Sequence, residues 1–353
     1  MELTVSLAQH TYTILIQKGA LQTVGDWAAS LWQPQKIVLV TDENVSSIYS
    51  EQVQNSLIAA GFHVTIAAVP AGETSKSLEM AAWLYDTFAE AGLTRSDGVI
   101  ILGGGVVGDL GAFAASTYMR GIHFLQIPTS LVAQVDSSIG GKTAVNTQTA
   151  KNLVGTFTQP DGVLIDPLVL NTLPLRRVRE GIAEIIKTAA IADTTLWSQL
   201  ADLKDEADLL RHSEAIIYAC CEVKRRVVEQ DPFDHQERLT LNFGHTIGHA
   251  LEKTAGYGEI AHGEGVALGM IQISRNAEKR GEITAGLTQQ LTEMIQKFHL
   301  PTEHHLNKET LYQALTHDKK ARGNQIKIIL VPEIGRAIIQ PIPLEMMRDY
   351  LEE

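Results

Sequence analysis

Residues 97–109 read Asp-Gly-Val-Ile-Ile-Leu-Gly-Gly-Gly-Val-Val-Gly-Asp, an unbroken apolar run that ends in a glycine cluster. The run has no polar alternation, the pattern of a strand buried on both faces. Gly103, Gly105 and Gly108 then satisfy the Gly-x-Gly-x-x-Gly spelling that lets backbone amides at a helix start approach a pyrophosphate. Outward from this stretch, the β-branched runs 36–42 (KIVLVTD), 63–70 (HVTIAAVP) and 123–130 (HFLQIPTS) interleave with the amphipathic segments 45–61 and 77–92. Such βαβα order predicts a parallel sheet with helices on both faces. Residues 4–19 (TVSLAQHTYTILIQKG) alternate well enough for an antiparallel edge pair. After Leu173 the texture becomes helix-periodic, except for 325–342 (QIKIILVPEIGRAIIQPI), which reads as a hairpin turning at Gly335. The expectation is a Rossmann-like α/β dinucleotide-binding domain over residues 1–174 and a mostly helical domain over 175–353, with the boundary near 172–176, where NTLPLRR combines a proline with a shift in composition.

The chain has 353 residues, room for two domains at about 150 residues each. Lys+Arg 29 against Asp+Glu 41 gives 29 − 41 = −12, so no global positive field favours nucleic acid. Any anionic ligand must find a local basic cluster. Cys220 and Cys221 are adjacent, where disulfide geometry is very hard to reach, and read as reduced thiols on a helix. No apolar run approaches the roughly 18 residues of a membrane span, and the opening residues lack a signal-peptide pattern. The expected location is the cytoplasm.

The dinucleotide fingerprint calls for an acid at the end of the next strand, but Leu125-Gln126-Ile127-Pro128 ends without one. Asp42 ends an earlier strand, two residues before Asn44; it either accepts the ribose hydroxyls or caps the following helix. An acid there would repel a 2′-phosphate, which favours NAD over NADP. Glu184, His245, His249 and His262 are candidate metal ligands from three segments, and His245 and His249 stand four apart on one helical face. The same pair also fits a polar stripe, and Glu184, between Glu180 and Lys187, also fits a salt-bridged helix. No Glu follows His245, so a His-Glu-x-x-His protease is excluded. Ser137 to Thr143 resembles a P-loop, but Asp136 stands where the first glycine belongs. Lys142, Lys151, Lys187, Lys224, Arg238, Lys319 and Lys320 fit a phosphate and carboxylate clamp if they converge; singly, each reads as a solvated charge in a loop or at a helix end.

As an ordered set, these blocks resemble the 3-dehydroquinate synthase family. The resemblance runs from Asp42 through Gly72-Glu73-x-x-Lys76, Gly103 to Asp109, Met119-Arg120-Gly121, Gln134 to Asn146, Lys151-Asn152, Asn242 to Ala250, His262-Gly263-Glu264 and Asp318-Lys319-Lys320. It implies two domains with the active site in the cleft between them, NAD, and a divalent metal, Zn²⁺ or Co²⁺. The implied reaction takes 3-deoxy-D-arabino-heptulosonate 7-phosphate to 3-dehydroquinate and phosphate. Its steps are transient oxidation by NAD, phosphate elimination, re-reduction and intramolecular aldol closure, within aromatic amino acid biosynthesis. By the same resemblance the metal ligands are Glu184, His245 and His262, whereas His249 faces substrate, which replaces the paired-histidine reading. NAD falls to Asp42, Asn44, Glu73, Lys76, Gly105, Val106, Val107, Gly108, Asp109, Thr129, Ser130 and Thr172, with Lys142 and Lys151 nearby. Substrate falls to Asp136, Lys142, Lys151, Asn152, Lys187, Lys224, Arg238, Asn242, His249 and one of Lys319 or Lys320, with Arg120 contributed across a homodimer. Ser130 departs from a common threonine and Ala71 from a frequent acid. Another sugar phosphate cyclase, or a metal-dependent polyol dehydrogenase, is the alternative.

Overall fold

Every residue of the strand Gly98–Gly103 is buried, and it lies inside a seven-stranded sheet. The computed structural model describes residues 1–148, 150–256, 259–317 and 324–352, which form two units, Met1–Leu173 and Pro174–Glu353. In the first unit the strands are β1 (Glu2–Leu7), β2 (His10–Ile16), β3 (Lys36–Asp42), β4 (His63–Val69), β5 (Gly98–Gly103), β6 (His123–Pro128), β7 (Lys142–Val145), β8 (Val154–Phe157) and β9 (Gly162–Ile165). The sheet order is β1-β2-β9-β6-β5-β3-β4, parallel except for the β1–β2 pair. Neighbouring β-strands of one sense need a crossover, and the helices supply it.

The side chains of β3 show why two helical layers form. Val38 and Val40 enter one apolar cluster with residues of the helices Leu78–Glu90 and Gly105–Thr117, while Ile37 and Leu39 enter another with Val24–Leu31 and Glu51–Ala59. Each such fully buried side chain contributes roughly 1.5–3 kcal/mol of burial, which is why polar residues are scarce in the central strands. β4 lacks the complete burial of β5. It is an edge strand, and His63, Thr65 and Ala68 are exposed, because nothing pairs beyond it. The β7–β8 hairpin and β9 escape the sequence reading: four-residue strands are too short to show a period.

Register sets the functional edge. Thr41 stands opposite Leu102, and Gly103 opposite Pro128, so Asp42, the glycine cluster and Thr129 all emerge at the carboxyl ends of β3, β5 and β6. That edge is where parallel α/β sheets bind ligands.

The second unit is built from helices Leu175–Ala192, Thr194–Asp202, Glu206–Arg211, Ser213–Gln230, His245–Ala255, His262–Lys279, Leu287–Lys297 and Lys308–His317, with the antiparallel pair β10 (Gln325–Glu333) and β11 (Arg336–Pro343). Gly335 turns that hairpin at φ 88°. The thiols of Cys220 and Cys221 are buried in Ser213–Gln230 and form no disulfide. The helix-periodic texture is broken at two places. Residues 237–242 form a 3₁₀ turn, and Gly244 at φ 78° delays the next helix to His245; Asp205 restarts the chain after Leu203 by capping Asp208 N–H at 2.8 Å. Among the described residues no helix is long and apolar enough to cross a membrane.

Asp97 holds the entrance to β5. Its carboxylate accepts from Thr94 N and Oγ1, both at 2.7 Å, and from Lys36 N at 3.0 Å. Burial, the largest influence, works to raise the Asp97 pKa, but these hydrogen bonds outweigh it and hold the group below the usual aspartate range. A carboxylate with a lowered native pKa stabilises the fold above its unfolded pKa and loses that contribution as pH falls through the native one. Urea unfolding of Asp97→Asn should show a loss of about 1–2 kcal/mol at neutral pH. The difference from the parent should shrink as pH drops below the carboxylate range; an equal difference at both pH values contradicts the assignment.

Candidate functional site

Three helix backbones meet in the second unit because glycines let them. An alanine Cβ at Gly263 would lie 2.4 Å from Glu180 Cα, and one at Gly269 would lie 2.0 Å from Gly244 O. At Gly248 and Gly265 the corresponding distances to each other's carbonyl oxygens are 2.8 and 3.0 Å. Helices Leu175–Ala192, His245–Ala255 and His262–Lys279 therefore pack with their main chains in near contact. Arg176 fixes the start of the third: its Nε and Nη2 donate to Glu264 Oε1 and Oε2, each at 2.8 Å, while Glu264 Oε2 accepts from Ala261 N at 2.9 Å.

At that junction Glu184, His245 and His262 bring their ligand atoms within 4.8 Å of one another. Glu184 is 1% exposed, which removes the exposed-helix reading of its segment. Glu184 Oε1 lies 3.3 Å from His262 Nε2 and 3.7 Å from His245 Nε2. Ligands at ~2.0–2.1 Å from a tetrahedral ion stand roughly 3.3–3.4 Å apart, so the spacing fits zinc or cobalt. The far nitrogens fit too. His262 Nδ1 donates to Glu252 Oε1 at 2.9 Å and His245 Nδ1 to Phe243 O at 3.2 Å, which turns both Nε2 atoms toward Glu184. Burial, the largest influence on both rings, pushes His245 down to about 3; at His262 it is outweighed by hydrogen bonds to Glu184 and Glu252, which push the ring up to about 10. A site that collects a proton between two carboxylates is one where a dication can take the proton's place. One carboxylate and two imidazoles leave a further position open, the arrangement of a catalytic centre.

His249 is exposed, with its ring 5.4 Å from that of His245 and 5.7 Å from that of His262, outside the group around Glu184. The solvated reading of the basic residues fails in this unit. Lys187, Lys224 and Arg238 are all buried, and both lysines lie well inside helices, not at their ends. Lys187 Nζ lies 2.5 Å from Glu184 Oε2. Arg238 sits on a loop drawn together by Asp231, whose carboxylate accepts from His235, Gln236 and Arg238 main-chain N–H, and its Nη1 donates to Pro232 O at 3.0 Å. Asn242 ends the 3₁₀ turn just before Phe243. Lys319 and Lys320 lie outside the described residues.

In the first unit the helix Gly105–Thr117 begins at Gly104 with no side-chain cap, so the first-turn N–H groups of Gly105, Val106 and Val107 face outward from the sheet edge. A Cβ at Gly104 would stand 3.2 Å from Ser130 Oγ, and one at Gly105 3.1 Å from Ser137 Oγ, so both positions are tight for any side chain. Gly108 keeps the helix close to β6, where a Cβ would meet Gln126 Oε1 at 3.3 Å. Asp42 takes the capping role in this structure: Oδ1 accepts from Asn44 N at 2.9 Å and Val45 N at 3.0 Å. Beside it, Glu73 Oε1 accepts from Asn146 Nδ2 at 2.8 Å, Asn146 Oδ1 accepts from Asn152 N at 2.9 Å, and Lys76 pairs with Asp109. Thr129 N donates to Gly103 O at 2.9 Å, Ser130 Oγ accepts from Ala133 N, and Thr172 Oγ1 meets Tyr49 OH at 2.7 Å. Asp136 lies on a π-turn, and Lys142, Lys151 and Asn152 are exposed. Met119, Arg120 and Gly121 hold φ 50°, 71° and 111°, a run of left-handed residues that lifts Arg120 outward at a cost of ~1–3 kcal/mol for each non-glycine.

Models of the 3-dehydroquinate synthase N-terminal and C-terminal domains match residues 66–180 and 181–321. The 3-dehydroquinate synthase of Enterococcus faecalis (strain ATCC 700802 / V583) is 63% identical over 352 residues, covering 99% of this chain and 98% of that one. The chain belongs to the 3-dehydroquinate synthase family. Among solved structures it is similar to 2-epi-5-epi-valiolone synthase from Streptomyces hygroscopicus subsp. jinggangensis 5008 with NAD⁺ and Zn²⁺ bound, with a TM-score of 0.86, 28% identity and coverage of 98% and 97%. Its fold is also that of 2-deoxy-scyllo-inosose synthase complexed with carbaglucose-6-phosphate, NAD⁺ and Co²⁺, with a TM-score of 0.88, 23% identity and coverage of 99% of both chains. A parallel-sheet domain followed by a helical one is thus the architecture of this family.

Gly263→Ala tests the junction. Its Cβ would force the start of His262–Lys279 away from Glu180, so we expect a loss of ~1–3 kcal/mol in denaturant unfolding. Co²⁺ affinity, read from the visible absorption of the titrated protein, should fall about tenfold or more. Unchanged Co²⁺ affinity would mean that close packing does not set the ligand geometry.

Proposed function

We propose that this chain is a 3-dehydroquinate synthase acting on 3-deoxy-D-arabino-heptulosonate 7-phosphate, with Glu184, His245 and His262 holding a Zn²⁺ or Co²⁺ ion. We infer that residues 1–174 carry NAD and that 175–353 carry the metal and much of the substrate. The observation that carries this reading is the convergence of a buried carboxylate and two oriented imidazoles from three segments, in a chain so similar to its relatives throughout.

When bound, NAD supplies hydride acceptance and return at C5, and the divalent ion supplies a Lewis acid for the hydroxyl there. This chain's residues do the rest. The uncapped amides of Gly105, Val106 and Val107 receive the pyrophosphate, with Gly108 allowing its close approach, and Asp42 with Asn44 receives the ribose. Glu73, Lys76, Asp109, Thr129, Ser130 and Thr172 shape the remaining walls of the cofactor site. Lys142, Lys151, Lys224 and Arg238, with Asn152, Asn242, one of Lys319 or Lys320, and Arg120 of the partner subunit, hold the carboxylate and phosphate of the substrate. The guanidinium suits a planar, two-pronged contact and the ammonium groups a point charge. Once C5 is a ketone, the neighbouring C–H is acidic. A phosphate oxygen takes that proton as the C–O bond breaks, and the clamp stabilises the departing anion. Lys187, already against Glu184, and His249, exposed at the rim of the cluster, handle protons and oxyanions, and Asp136 meets substrate. Ring opening and an intramolecular aldol addition then close the carbocycle. The homodimer, with Arg120 supplied by the partner subunit, and the cytoplasmic location follow from the family resemblance.

Full-length protein with the heptulosonate phosphate, NAD and Co²⁺ or Zn²⁺ should release phosphate and form dehydroquinate with no net NADH. Chelation should abolish both. NADH accumulating on a simple polyol would instead identify a dehydrogenase. His249→Ala should slow turnover by about 10²–10⁴-fold if the ring moves a proton, and full turnover across pH would remove that role.

A further inference from the structure

The reaction as assigned leaves Glu252 without a part. It lies on the helix His245–Ala255, seven residues after His245 and three after His249, so one face carries all three. Its Oε1 meets His262 Nδ1 at 2.9 Å, on the side of the ring opposite Glu184. A carboxylate only accepts, so Nδ1 carries the hydrogen and the Nε2 lone pair is left for an ion. Glu252 also has its own space in the fold. Gly265 stands where a Cβ would come within 3.3 Å of Glu252 Cγ, so the glycine that brings the two helices together also clears the path of this side chain.

We propose that Glu252 is the positioning residue of the metal centre: it fixes the His262 tautomer so that Nε2 faces the ion, and acts through that ring without itself ligating. His249, Glu252 and His262 also lie close enough to form a second ion-holding group. The geometry favours the positioning role. Ligation by Glu252 alongside His262 would use Nδ1, the nitrogen that already donates to it, and would turn the ring's free nitrogen away from the more deeply buried Glu184. This inference rests on Glu184, His245 and His262 being the ligand set.

The test is metal affinity of the full-length protein, measured by Co²⁺ titration against a chromophoric chelator, with no turnover involved. Glu252→Leu should weaken Co²⁺ binding by roughly 10–100-fold, while Glu252→Gln, whose amide oxygen can still accept from Nδ1–H, should stay within about threefold of the parent. Parent-like affinity in Glu252→Leu overturns the proposal. A loss in Glu252→Gln as large as in Glu252→Leu also overturns it, since that is the mark of a direct carboxylate ligand. Nitrogen-15 histidine spectra of the Zn²⁺-loaded parent give a readout independent of variant folding: His262 should show Nδ1–H and ligation through Nε2, and ligation through Nδ1 contradicts the proposal. Glu184→Gln separates the two levels. If it binds Co²⁺ like the parent, the ligand set is wrong; if it loses binding while Glu252→Leu does not, only the role of Glu252 is wrong.

Discussion

The near contact of main chains at Gly263 with Glu180, and at Gly248 with Gly265, is the constraint on which the second unit's chemistry depends. Side chains as short as histidine and glutamate reach a common point only when their helices approach more closely than ordinary side chains permit. An alanine at either place would put a methyl group against backbone, which cannot move aside as a flexible side chain can. Arg176 and Glu264 then fix the start of the helix that His262 opens. The spacing of Glu184, His245 and His262 is in this sense a property of helix packing.

Electrostatics supplies the reason for a cation. Glu184 is held in the interior with Lys187 on one oxygen and two imidazoles near the other. Burial of a carboxylate is unfavourable unless positive charge accompanies it. His262 gathers a proton in that field when no ion competes, and a divalent ion satisfies the same carboxylates at higher charge. In the first unit the positive character lies in uncapped helix N–H groups and in exposed Lys142 and Lys151, while Lys76 is paired with Asp109, in a chain whose net charge is −12.

Much of this was legible in the residues because it is periodic. The continuous apolar runs of β3, β5 and β6 suit strands buried on both sides, and Gly103, Gly105 and Gly108 could be placed at a strand-to-helix turn. Edge position was not legible in β4, since burial on its outer flank depends on which strands pair, and pairing is non-local. Nor could spacing distinguish a ligand from a polar stripe. Lys187 and Lys224 looked like surface charges until the neighbouring helices enclosed them. Glu252 had a local signal, its place on the face of His245 and His249, but nothing in the sequence showed that His262 would arrive from another helix to meet it. The glycines at 244, 248, 263, 265 and 269 were visible as letters, and only the packing gave each one a neighbour.

The most direct measurement is anomalous diffraction at the zinc edge from crystals of the Zn²⁺-loaded protein. The account predicts one strong peak bonded to a Glu184 oxygen and to Nε2 of both His245 and His262, with Glu252 at Nδ1 of His262. A peak between His249 and Glu252, with Glu184 unligated, would contradict it.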